Sequence, residues 1–187
     1  MDTKKESFIN GYLKVTKILY YITKYATFFF YLGTVLLAII IFSTFFNDIG
    51  EKTILSFNQL GIDKSKYSTF NYKLIIFSLS SQFLFYGILN SLFLKHINQI
   101  LRNVMNHKPF IYKNGMSIRK MGWFLVAQSI IGYIYSFIGD LFFLKVPVSF
   151  DIFYSEAPLL LFGVCLLILS GVFHYGCYLQ EEYDSML

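Results

Sequence analysis

Few side chains in this sequence are suited to chemistry in an apolar setting. Asp140 and His174 are the ionisable residues that interrupt its long apolar runs, and His174-Tyr-Gly-Cys177 sets two metal-ligating types on one helical face. An ionisable residue inside a membrane span is a functional candidate by default. Asp140 falls near the outer end of its run and His174 near the inner end of the next, so the two form no proton relay. His96 and His107 lie on the same side as His174 and Cys177, and four such ligands would suit zinc. A lone H-x-x-C is a weak signal, and neither a metal nor another cofactor is expected. H-E-x-x-H, the P-loop and G-x-S-x-G are absent from the sequence, so the expectation is a protein that is not an enzyme. Gln82, Asn90 and Gln128 are the polar residues of mid-span. Asn90 and Gln128 are expected at similar depth, within reach of a bond across helices, and all three are expected to serve structure rather than transport.

The elements that position these residues follow from composition. Of 187 residues 14% are charged, against about 25% in soluble domains, while 56% are hydrophobic and 20% aromatic, with mean hydropathy +0.54. A soluble domain of this length cannot bury so much Phe, Leu and Ile. Two cysteines, Cys165 and Cys177, exclude a disulfide scaffold. Four stretches approach or exceed the roughly 20 apolar residues that cross a bilayer as a helix: about 26–46, 74–94, 121–144 and 157–178. Lipid offers backbone amides no partners, so helices are required. The fold class is therefore all-α: a single polytopic transmembrane four-helix bundle over 1–187. The first run is too long for a signal-peptide core and lacks an A-x-A-like site, so it reads as an uncleaved anchor.

Lys and Arg set the orientation. The N-terminal segment and the 95–120 segment together hold eleven, whereas 47–73 and 145–156 together hold five. Both termini and 95–120 are thus expected in the cytoplasm, and 47–73 and 145–156 outside. The aromatic outer loops are where an extracellular peptide would bind. The segment before the first span spaces Phe8, Tyr12, Val15, Ile18, Leu19 and Ile22 near the helical period. It suits either a helix lying on the inner leaflet or a plain extension of the first span.

In the cytoplasmic segment, Ile97, Ile100, Leu101 and Val104 continue the second span as an amphipathic helix, which Pro109 stops. Asn114-Gly115 reads as a turn and Ser117 as the cap of the next helix. The acidic tail residues Glu181, Glu182 and Asp184 share this side with Arg102, Arg119 and Lys120. Pairing between them would clamp the bundle or form a switch, each pair contributing about 1 kcal/mol or less. Small residues mark a helix-packing seam: Gly122, Ser129, Gly132, Ser136 and Gly139 on the third span, with Gly163, Ser170 and Cys177 on the fourth. Direct nucleic-acid binding is not expected, because the cations flank the membrane rather than a recognition motif. A transporter would show broken helices or a midplane charge.

Two stretches carry a family likeness: Ile100-Leu-Arg-Asn-Val-Met-Asn-His-Lys-Pro-Phe110 with Asn114 and Ile118-Arg-Lys-Met-Gly122, and Gly171-Val-Phe-His-Tyr-Gly-Cys-Tyr-Leu-Gln-Glu-Glu-Tyr-Asp184. They resemble domain-of-unknown-function family 2975, small four-span bacterial membrane proteins. The resemblance implies no known activity. It implies a sensor or regulatory partner of a small cytoplasmic helix-turn-helix regulator in the bacterial cytoplasmic membrane. Under it, Arg102, Pro109, Phe110, Arg119, Lys120 and the acidic tail form the docking or switch face. The alternative expectation is an immunity protein against a membrane-active peptide bacteriocin, held by the outer loops.

Overall fold

A computed structural model describes the backbone of residues 2–46, 72–138 and 151–186, and the side chains of 11–43, 80–138 and 156–186. The outer loops, Asp140 and Gly139 lie outside the described residues. Four helices follow one another: α1 (Asp2–Phe46), α2 (Tyr72–Met105), α3 (Tyr112–Ile138) and α4 (Asp151–Met186). No strand occurs among the described residues. By length and hydropathy α1, α3 and α4 can each cross a membrane, over Gly11–Ser43, Tyr112–Ile138 and Glu156–Met186. The apolar run 74–94 forms most of α2.

Each helix packs along its neighbour in the chain, with at most passing contact elsewhere among the described residues. The order is therefore α1, α2, α3, α4, with α1 and α4 on the flanks. Burial follows this order: a third of the apolar stretch of α3 is buried, against 6% for α1 and 11% for α4. All three pairs are antiparallel. On α1 and α2, Asn98 accepts from the Thr23 hydroxyl and donates to Thr27 Oγ1 at 3.0 Å, while Gly87 makes room for Thr34. Between α2 and α3, Ser81 bonds Tyr135 at 2.9 Å and His96 lies against Phe124. Between α3 and α4 the contacts step in sevens: Ser129 meets Glu156, Gly122 meets Gly163 and Gly115 meets Ser170. Both ends of the chain and the α2–α3 connection consequently share one end of the array.

The first three predicted spans lie in register. Lys24, Asn98 and Lys120 fall at about one level, with Lys95 one turn above. The fourth span is displaced. At this level α4 has reached Gly163, so roughly 14 residues of its apolar run, about 20 Å of helix, continue past the lysines. α4 also begins at Asp151 rather than after Glu156. Glu156 thus enters the helix array at the level of Ser129, where the sequence reading places it in a loop.

α1 runs unbroken over 45 residues, about 67 Å, against a hydrocarbon core of about 30 Å. Its first half continues the helix of the first span without a break.

Candidate functional site

A polar cluster joins α2, α3 and α4 at the connection end. α2 closes with the Lys108 amide on the Asn103 carbonyl (2.9 Å) and the His107 amide on the Val104 carbonyl (3.0 Å). This pair of bonds is a Schellman motif, which needs a left-handed residue at its turn. His107 takes that conformation at φ 58°, at a cost of about 1 kcal/mol that glycine would avoid. The chain then enters α3 at Tyr112. Asn114 and Gly115 therefore lie in the first turn of α3, not in a turn before it. Ser117 returns a hydrogen bond to the Lys113 carbonyl (3.0 Å) instead of capping the helix.

Asn114 holds the connection together. It is fully buried, donates to the Pro109 carbonyl at 2.8 Å and to the Lys108 carbonyl at 3.4 Å, and accepts from Asn103 Nδ2 at 2.6 Å. These two loop carbonyls have no helical partner of their own, so one side chain satisfies them and locks the turn. Phe110 is left 60% exposed, its ring stacked on Phe173 of α4 at 5.6 Å.

Gly115 opens the space for α4. A Cβ there would lie 2.9 Å from His174 Nε2. The His174 ring packs on Tyr112 at 4.5 Å, and the buried Ser170 hydroxyl donates to the Gly115 carbonyl at 3.0 Å. His174 Nε2 and His96 Nδ1 are buried without a hydrogen-bond partner. Such atoms are uncommon in native interiors. Cys177 is buried one turn beyond His174. Among the described residues no three of His, Cys, Asp and Glu come together to hold a metal.

The residues of the predicted docking face are only partly brought together. Arg102, Arg119 and Lys120 are exposed and Pro109 is half-buried, with Arg102 about level with Ser117 and Ile118. Glu181, Glu182 and Asp184 are exposed too, but Glu181 lies some 15 residues, about 22 Å, farther along α4 than the level of Arg119. No ion pair joins the tail to these cations among the described residues, and the mismatch in level is the reason.

Along the small-residue seam, Ser129 is fully buried and donates to the Glu156 carbonyl at 3.1 Å. Gly163 faces Gly122 and Val126, and Ser136 is half-buried. Gly132 serves α2 as well: a Cβ there would collide with Tyr86 Oη and the Glu156 carboxyl. Tyr86 donates to Glu156 Oε1 at 3.2 Å, and Gln82 donates to Tyr86 at 3.4 Å. This places a carboxyl group within the array, a group the sequence reading missed. Asn90 and Gln128 fall at similar depth, but no hydrogen bond joins them among the described residues.

Burial lowers the His96 imidazole below its ordinary 6.5, and Lys120 and Lys95 push it the same way. The folded protein therefore holds His96 neutral where the unfolded chain would protonate it. Stability from this group is full above pH 6.5, begins to fail as pH drops below it, and is lost once pH passes the folded value. Lys120→Gln is expected to raise the His96 titration midpoint toward 6.5, read from its ring-proton resonances; an unmoved midpoint would remove Lys120 as a cause.

No protein-family model matches the chain, and no curated protein or solved structure shows significant similarity to it.

Proposed function

We propose that the chain is a multi-pass protein of a bacterial cytoplasmic membrane, with both termini inside, that acts as the sensor or regulatory partner of a small helix-turn-helix regulator. One observation carries the reading: the Asn114 cluster fixes an exposed Phe110 at the cation-rich end of the array. A large apolar ring held rigid in the open loses little freedom on binding, and such rings anchor interfaces. Arg102, Arg119 and Lys120 lie exposed on the adjoining helices α2 and α3, without an ion pair among the described residues. They would steer an acidic patch of the partner onto the ring. The excess of Lys and Arg at this end supports its cytoplasmic side, and the likeness to domain-of-unknown-function family 2975 supports the class of partner.

In this reading a signal at the outer end alters the α2–α3–α4 contacts, and the partner binds one arrangement better than the other. The test is transcript profiling of a deletion strain complemented with the intact gene or with Phe110→Ala. The expected result is a sharp change confined to a few genes on deletion, reversed by the intact gene and not by the variant. An unchanged profile on deletion, or full rescue by Phe110→Ala in membranes carrying equal protein, would overturn it.

A further inference from the structure

Between α1 and α2 lies a cavity of about 530 Å³, within the range of about 300–1,000 Å³ that small-molecule sites occupy. It follows α1 from Phe29 to Leu37 and α2 from Phe83 to Asn90, about 10–12 Å of helix. Both stretches belong to charge-free runs of the sequence, 26–46 and 74–94. Two glycines shape the space. Gly87 lets α1 approach, since a Cβ there would collide with the Thr34 side chain, whereas a Cβ on Gly33 would meet nothing within 4 Å. Gly33 thus leaves a hollow in the α1 wall that a larger residue would fill. Phe29 and Phe83 are more than half exposed, so the cavity is open to what surrounds the helices.

The walls are aromatic and aliphatic apart from three polar side chains, Thr34, Tyr86 and Asn90. Two of them are engaged. Thr34 Oγ1 donates to the Tyr31 carbonyl of its own helix at 2.8 Å. Tyr86 accepts from Gln82 at 3.4 Å and donates to Glu156 Oε1 at 3.2 Å. The Asn90 amide has no hydrogen-bond partner among the described residues, although Tyr86 stands one turn away on the same face of α2. Gln128, at similar depth on α3, does not bond it either.

An amide in apolar surroundings is costly without its hydrogen bonds, and a bilayer holds no water in its core to supply them. Asn90 is largely covered, five residues before the first cation of α2, Lys95. In a cavity otherwise suited to hydrocarbon it is the group that selects a ligand's polar end. Its side chain offers two N–H donors and one carbonyl acceptor. A head that carries an acceptor and a donor side by side completes two bonds with it at once. The ester groups of membrane phospholipids accept but do not donate, and leave the Asn90 carbonyl unpaired. A charged head has no counter-charge, because no charged residue lines the cavity among the described residues.

We propose that this cavity binds a single-chain acyl amphiphile with an uncharged head that both donates and accepts a hydrogen bond, an amide or an un-ionised carboxylic acid. The head pairs with the Asn90 amide. The chain lies in the hollow at Gly33, against Phe29, Phe30, Leu37 and Phe83. Entry is sideways from the bilayer, past the exposed rings.

The test uses the full chain in nanodiscs of phosphatidylethanolamine and phosphatidylglycerol, with decanamide carrying a diazirine near its chain end as the probe. After photolysis, mass spectrometry is expected to find the label concentrated on 29–37 and 83–90. Unlabelled decanamide displaces it, and N,N-dimethyldecanamide, which cannot donate, does so at least about tenfold less well. Gly33→Phe fills the hollow where a Cβ meets no neighbour, and Asn90→Leu removes the amide at similar volume; each lowers labelling at least about tenfold. Circular dichroism checks that both variants keep their helix content. Label spread evenly onto exposed residues such as Leu161 and Phe162 of α4, labelling indifferent to either substitution, or equal displacement by the two amides would each overturn the proposal. So would a diazirine phospholipid that labels the same stretches and is not displaced by decanamide, which would assign the cavity to bulk lipid.

Discussion

Replacing Gly163 by leucine is expected to destabilise the α3–α4 pair by about 3 kcal/mol, at the upper end of the ordinary overpacking cost. A Cβ at Gly163 would stand 2.9 Å from Val126 Cγ2, 3.0 Å from the Gly122 carbonyl oxygen and 3.0 Å from the Val126 amide nitrogen. Two of these neighbours are backbone, so no rotamer change relieves the contact and the helices must separate. Separation also removes the bonds that depend on close approach, Ser170 to the Gly115 carbonyl and Ser129 to the Glu156 carbonyl. Gly171 is the control. It sits eight residues along the same helix with nothing within 4 Å of its Cβ position, and Gly171→Leu should cost little. Denaturation of both variants in detergent micelles checks the prediction. Equal losses would show that α3 and α4 do not meet at Gly163.

The helices were legible in the sequence because lipid leaves the backbone no alternative, and long charge-free runs announce it. The seven-residue spacing of Gly163, Ser170 and Cys177 was legible for a related reason: close helix contact needs small side chains at a fixed repeat, and all three are buried. Depth was not legible. Hydropathy centred the fourth span on its own apolar residues, but the heptad contacts with α3 slide α4 by about 20 Å. That slide carries Glu156 into the array and takes Glu181, Glu182 and Asp184 away from Arg102 and Arg119. A charge count by segment assigns a side of the membrane, not a level along a helix. The roles of Asn114 and Gly115 were hidden by their own propensities: the pair is a strong turn signal, here overridden by what Asn114 gains in the first turn of α3.

Asn114→Ala is expected to cost about 2–3 kcal/mol, more than a single average hydrogen bond. The substitution leaves the Pro109 and Lys108 carbonyls and the Asn103 amide without the partner that now holds them at one fully buried point. Leaving buried polar groups unmade costs their desolvation as well as the bond. Asn114→Asp separates the two halves of the role, because a carboxylate still accepts from Asn103 but cannot donate to either carbonyl. It should therefore behave nearly as badly as alanine, with a negative charge against two carbonyl oxygens added. Asn103→Ala removes one bond only and should cost about 1 kcal/mol. The loop also changes: without Asn114 the Pro109–Phe110 turn is no longer tied to α3, and Phe110 loses its stacking on Phe173. Proteolysis at the connection should accelerate in Asn114→Ala and Asn114→Asp, and little in Asn103→Ala. Were all three to lose the same stability, Asn114 would be acting through Asn103 alone, and the carbonyl bonds would carry no weight.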